Sequence, residues 1–288
     1  MIPSPFAFYA PSRLDEAVRL LQQYGDEAKL LAGGHSLLPT MKLRLATPAV
    51  LIDLHKISDL VGVTVGERVT IGSMTTWSAL EADATLCEAL PVLAATIRLI
   101  GDRQVRNRGT LGGALAHADP AADAPAVVLV LNGTLTIYGP AGIRTIAADD
   151  FFVDMLTTAL APDEILTAIT LDRVGPGEGA AYLKFAHPAS RYALVGVAAF
   201  LRVEAGQVSA CRVAVTGAGV RAERLTNVEA MLLHQPAQPD LFARAARGAA
   251  DTLEILGDLH ASETYRRAMV EVYIHRALVA AAASLRAS

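Results

Sequence analysis

The chain has 288 residues, half of them apolar and under a fifth charged, which suits two packed domains and excludes a disordered polymer. A formal charge of −4 without basic runs argues against nucleic acid or an anionic surface as partner. No apolar stretch reaches the roughly 18 residues of a membrane span, and Met1–Phe6 lacks a signal-peptide pattern, so a cytoplasmic protein is expected.

In chain order, Pro11–Glu16 opens a helix with Ser12 as its expected N-cap, and Leu14, Ala17, Val18 and Leu21 follow at helical spacing. A strand at 28–32 runs into Gly33-Gly34, and a helix over 37–43 follows. Val50–Leu54 reads as a buried strand, and 63–65 with 69–72 as a hairpin. Helices are expected from Thr76 and over 91–100, with the lone Trp77 in the core. A polar loop at 116–123 leads to an apolar helix over 124–131, and short strands follow at 134–138, 143–147 and 164–171. The Gly- and Pro-rich stretch 173–179 reads as a linker. Beyond it lie strands at 181–186, 193–203 and 208–216, then helices at 225–234, 239–256 and 263–285, an α+β pattern.

Two stretches carry the functional signal. Ala32-Gly33-Gly34-His35-Ser36-Leu37 ends a short apolar run, and Arg108-Gly109-Thr110-Leu111-Gly112-Gly113-Ala114 repeats the double glycine. Each alone is consistent with a plain strand–turn–helix corner. Each is also consistent with a backbone cradle for an anion, since glycine permits close approach and a helix N-terminus offers free N–H groups. Neither is a P-loop, because Gly-Lys-Ser/Thr is absent; neither is the dinucleotide fingerprint, and no βαβ run is evident. Cys87 and Cys211 read as buried small hydrophobes. With two distant cysteines and 7 scattered histidines, the chain lacks the ligands for an iron–sulfur cluster or a cysteine zinc site.

The two glycine stretches, together with Asp119-Pro120 and Asp123, resemble the FAD-binding medium subunits of the molybdenum hydroxylases, the xanthine dehydrogenase/carbon monoxide dehydrogenase family. The likeness spans nearly the whole chain and is nearest to the bacterial three-subunit enzymes. It implies a PCMH-type FAD-binding domain of two α+β subdomains over 1–175. A smaller C-terminal α+β domain, an antiparallel sheet backed by helices, would occupy 180–288. It implies noncovalent FAD, with Ala32, Gly33, Gly34, His35, Ser36 and Leu37 on one side of the diphosphate. Gly109, Thr110, Gly112, Gly113 and Ala114 would lie on the other. Asp123 would meet the ribityl chain, Ile100 and Leu166 would pack on the flavin, and Lys184 and Tyr192 would lie near it. Read as residues alone, Asp123 is equally an N-cap for the helix that follows it, and Ile100 and Leu166 are ordinary core residues. Lys184 either has a partner or snorkels to solvent.

The resemblance further implies a small [2Fe–2S] subunit, a large molybdenum-binding subunit and a dimer of heterotrimers. The task of this chain would be to pass electrons to quinone or NAD while the complex oxidises CO, a small aldehyde or an N-heterocycle. No residue here is expected to act on the primary substrate. Two departures from the family pattern stand out. Ala114 replaces Asn or Ser, which predicts a loss of about 1 kcal/mol of cofactor binding. Arg191 replaces an acid beside Tyr192, and a cation there is expected to raise the flavin potential. A self-contained flavin oxidase and a flavin-free scaffold are the competing readings.

Overall fold

A computed structural model describes residues 2–285; Met1 and the C-terminal limit expected at Ser288 lie outside the described residues. The chain begins with a small parallel sheet. β1 (Ala7–Tyr9), α1 (Leu14–Tyr24), β2 (Ala28–Leu31), α2 (Leu37–Lys42) and β3 (Val50–Asp53) alternate along the sequence. The strands pair in the order β1-β3-β2, all parallel. This is a βαβ run after all. Its first strand leaves no sequence signal, because β1 is only three residues long and shows no alternation. The helix begins with Arg13 at the N-cap position rather than Ser12, and no side chain caps it. Ala17, Val18 and Leu21 of α1 pack on Val50, Ile52 and Leu54. Because β2 and β3 run in the same direction, their C-terminal ends lie side by side, with Leu31 opposite Asp53. Parallel strands receive ligands at that end.

The second unit opens with the hairpin β4 (Val63–Val65) and β5 (Arg68–Gly72). Six short helices follow: α3 (Trp77–Ala82), α4 (Ala84–Ala89), α5 (Pro91–Ile97), α6 (Arg103–Arg108), α7 (Leu111–His117) and α8 (Ala124–Val130). The chain then completes the sheet with β6 (Thr134–Gly139), β7 (Gly142–Ala147), α9 (Ala148–Phe151), the ribbon β8 (Phe152–Asp154) and β9 (Thr157–Thr158), and β10 (Ile165–Asp172). The five main strands lie antiparallel in the order β4-β5-β10-β6-β7. Every residue of α8 is buried, as befits a helix that is apolar all round.

Residues 173–177 lead to β11 (Glu178–Ala186), three residues earlier than the sequence pattern suggests. β12 (Ala193–Glu204), β13 (Gln207–Thr216) and β14 (Glu223–Arg224) continue an antiparallel meander. One face of this sheet packs against α10 (Thr226–Leu232), α11 (Pro239–Ala246) and α12 (Glu263–Ala283). The other face sends Tyr182, Ala198, Phe200 and Ala214 into the core that holds α8. β12 is therefore covered on both sides, and Ala193–Leu201 are buried without interruption. The single helix expected over 239–256 is shorter: α11 stops at Ala246, and Gly248 turns the chain with φ +67°. Among the described residues no helix is long and apolar enough to cross a membrane.

Candidate functional site

The two glycine stretches meet backbone to backbone. A Cβ placed on Gly33 would sit 2.3 Å from the Arg108 carbonyl oxygen and 2.7 Å from Gly109 Cα. One on Gly113 would stand 2.7 Å from Thr110 Oγ1 and 3.3 Å from Ala32 Cβ. Only glycine allows this approach. Gly34 follows in the left-handed region, φ +74°, and turns the chain into α2.

The second stretch is not a loop. Thr110 caps α7, its hydroxyl accepting from the Gly113 N–H at 3.0 Å, so Gly112 and Gly113 lie in the first helical turn. Gly112 rests on Ser73, where a Cβ would meet Ser73 Cβ at 2.4 Å. The N–H groups of Leu111, Gly112 and Ala114 bond to the carbonyls of Thr75, Ser73 and Thr110. Donors from 111 to 114 are thus consumed within the protein. The first stretch differs. Among the described residues, the N–H groups of Gly33, Gly34, His35, Ser36 and Leu37 find no acceptor in the chain. Five successive free donors at the C-terminal end of a parallel strand form a nest for an anion. The second stretch shapes this nest rather than doubling it.

His35 ties back onto its own turn, its Nδ1 3.0 Å from the Gly33 carbonyl, which can only accept, so Nδ1 carries the proton. Beside the nest, Arg108 projects to His55 with Nη2 3.3 Å from Nε2, and His55 Nδ1 lies 2.6 Å from Asp53. Asp53 and His55 were not singled out from sequence; only their place at the end of β3 marks them. Arg106 is committed to Glu81 and the Ile100 carbonyl.

The loop between α7 and α8 is held by the C-terminal sheet. The buried Thr216 hydroxyl donates toward the carbonyls of Pro120 and Ala122 at 2.7 and 2.8 Å, and the N–H groups of Ala193 and Gly217 reach Ala121 and Pro120. Asp123 occupies the N-cap position of α8 yet makes no side-chain bond to the helix. Its carboxylate accepts from Tyr182 at 2.5 Å and from Lys184 Nζ at 2.9 Å. Lys184 therefore does not snorkel; its ammonium is buried and donates also to the Leu99 carbonyl at 2.8 Å, next to Ile100. Burial pushes the Asp123 carboxyl up, while the Lys184 charge and the Tyr182 hydroxyl pull it back. Burial also raises the Tyr182 phenol, and the Asp123 charge adds to it. Tyr182 was overlooked in the sequence, although its spacing of two from Lys184 put both on one face of β11.

Tyr192 closes the arrangement from the C-terminal side. Its side chain is exposed overall, but the phenol reaches Ser36 and feels the charges of Asp119 and Asp123; desolvation is the main cause of its raised pKa. The loop before it is pinned by the His187 N–H to the Tyr192 carbonyl and by Arg191 to the His187 carbonyl, with Arg191 at φ +63°. The structure thus brings residues 32–37, 109–114 and Tyr192 together, and couples Asp123 with Lys184 beside Ile100. Leu166 lies in the core at a bulge of β10, and Ala114 is packed against the same cluster.

Residues 4–172 match the model of the FAD binding domain in molybdopterin dehydrogenase, and residues 180–281 match the CO dehydrogenase flavoprotein C-terminal domain. The chain belongs to the FAD-binding medium subunits of the molybdenum hydroxylases. Its similarity to the carbon monoxide dehydrogenase medium chain of Hydrogenophaga pseudoflava is 39% identity over 98% of both chains. Against the nicotine 6-hydroxylase medium subunit of Paenarthrobacter nicotinovorans it is 38% over 96% of this chain and 97% of the other. A solved structure of the Hydrogenophaga pseudoflava carbon monoxide dehydrogenase, in a form lacking the Mo-pyranopterin moiety, superposes with a TM-score of 0.96. That match has 41% identity and covers 98% and 99% of the two chains. The fold is accordingly α+β, with an FAD-binding domain and a flavoprotein C-terminal domain, and the protein is an oxidoreductase subunit. The residues present suit the cofactor: the Gly33–Leu37 nest offers donors without competing acceptors, and the seam against Gly109 has no room for a Cβ.

Proposed function

We propose that this chain is the electron-transfer subunit of a three-subunit molybdenum hydroxylase, taking electrons from [2Fe–2S] clusters of one partner and delivering them to quinone or NAD. The observation that carries the reading is the glycine seam, which leaves five consecutive N–H groups open to a diphosphate. Bound FAD supplies the redox chemistry. The work of the chain's own residues is binding and orientation. Gly33–Leu37 donate to the diphosphate, and Gly109, Thr110, Gly112 and Gly113 give the nest its shape. Ala32 and Ala114 line the same seam. Arg108, held by His55, supplies a cation beside it. Asp123, paired with Lys184, offers its remaining lone pairs to the ribityl hydroxyls. Ile100 and Leu166 give apolar contact to the ring system, and Tyr192 covers it from the other domain.

His35 bonds its own turn and stays uncoupled from the cofactor, so FAD is noncovalent in this reading. In this reading the molybdenum and iron–sulfur centres lie on two partner chains within a dimer of heterotrimers. CO, a small aldehyde or an N-heterocycle is the primary substrate class, and a cytoplasmic location accompanies this assignment. The test is a visible spectrum of the purified chain followed by acid precipitation. Yellow supernatant containing FAD is the expected result. Colour retained in the pellet would mean a covalent link at His35, reviving the self-contained oxidase. No flavin after reconstitution would leave a scaffold subunit.

A further inference from the structure

Tyr182 has no role in the binding reading above other than as a neighbour of Asp123, yet the fold is shaped around its hydroxyl. It lies on β11, 7% exposed, and its oxygen is 2.5 Å from Asp123 Oδ1 while Lys184 Nζ holds Oδ2. The strand beside it carries a glycine within the run Ala193–Leu201 of β12, which is otherwise alanine and larger apolar residues. A Cβ on Gly196 would stand 2.3 Å from the Tyr182 oxygen and 2.7 Å from Thr216 Cγ2. Gly196 lies in extended backbone, so no turn requires glycine there; the space is taken by the phenol. Asp123 belongs to the loop from the FAD-binding domain, and Tyr182 to the C-terminal domain. The pair therefore joins the two at the carboxylate.

We propose that Tyr182, seated over Gly196, is a positioning residue of the cofactor site. Its hydroxyl and the Lys184 ammonium hold the Asp123 carboxylate from both oxygens and leave the remaining lone pairs aimed at the ligand. A carboxylate held at one oxygen rotates about its Cβ–Cγ bond; held at both, it does not. The donor toward Oδ1 is neutral, so Asp123 is fixed without a second buried cation. This inference rests on FAD binding at the site, as proposed above. The ionisable groups facing Asp123 are Tyr182 and Lys184 on β11 and Tyr192 on the loop before β12.

The test compares the full wild-type chain with Tyr182→Phe, Gly196→Ala and the double variant. Apo circular dichroism serves as the check on folding, and FAD binding is read by flavin fluorescence and visible spectrum across pH. Tyr182→Phe is expected to weaken FAD about tenfold, which is about 1.4 kcal/mol, and to move the acid limb of the affinity profile to higher pH. The pH shift follows because the hydroxyl is one of the groups pulling the Asp123 carboxyl down. A merely structural tyrosine would leave that limb in place. Gly196→Ala should reproduce both effects, and the double variant should lose no more than either single one. Unchanged affinity and pH profile in a folded Tyr182→Phe chain overturns the proposal, as does full additivity in the double variant. Should Gly196→Ala fail to fold, Tyr182→Phe decides alone. A wild-type chain that takes up no FAD overturns the binding reading and this inference with it, and is distinguished by the absence of any wild-type signal.

Discussion

Gly33→Ala tests the seam between the two glycine stretches. The added Cβ would lie 2.3 Å from one backbone oxygen and 2.7 Å from Gly109 Cα. Carbon atoms prefer separations of about 3.5–4.0 Å, so the second contact is short by about 1 Å. Both obstructing atoms are backbone, and no side-chain rotation relieves them. The Arg108–Gly109 segment is in turn fixed, since Gly109 bonds Val105 through its N–H and Trp77 through its carbonyl. The strain falls at the upper end of overpacking costs, about 3 kcal/mol, which lowers the melting temperature by about 6–12 °C. Gly66→Ala is the control, because its Cβ would meet only one atom, at 3.7 Å, and its φ is not positive. The assay is thermal unfolding of the full chain with and without FAD, together with FAD titration. Gly33→Ala should melt lower and bind FAD at least about tenfold more weakly, while Gly66→Ala matches wild type. Equal melting and equal affinity in the two variants would refute the reasoning.

Lys184→Met strips the cation from buried Asp123 and should cost about 3–5 kcal/mol in urea unfolding, while Asp123→Asn with Lys184→Met recovers most of it; a double variant as weak as the single one would sink this account. Burial raises the Asp123 carboxyl above its unfolded value of about 3.9, so the folded chain binds the proton more tightly. Its contribution to stability is largest below that value and falls as pH rises through the folded pKa, and Asp123→Asn should flatten this part of the pH–stability curve. Burial and the Glu229 charge push the Cys211 thiol up to about 12. Cys211 should therefore resist thiol reagents at pH 8 in the native chain and react once unfolded. The unfolded thiol ionises near about 8.5, so stability should decline above that pH, and Cys211→Ala should lessen the decline. Arg266 is buried, with one guanidinium nitrogen serving the Leu194 and Gly217 carbonyls and another Asp258. Lysine lacks that fork, so Arg266→Lys should cost about 2 kcal/mol in chemical denaturation; a wild-type midpoint would show the fork is dispensable.

The sequence by itself determined the elements whose pattern is local. The amphipathic spacing of α1 and the apolar runs of β3 and β12 are each written in neighbouring residues. The two glycine stretches and Asp123 also pointed to the family that the similarity to known proteins shows. What local pattern could not carry is pairing across distance. β1 gains its identity only from β3, and the parallel register that sets the nest at one sheet end depends on two crossovers. Gly112 and Gly113 carry no local helix signal, because glycine is a weak helix former, yet the Thr110 cap and the close fit on Ser73 hold them in α7. Lys184 could be given no fate from its strand alone. Its partner Asp123 is sixty-one residues away, and only the packing of the C-terminal sheet on α8 turns two isolated charges and a tyrosine into one buried constellation.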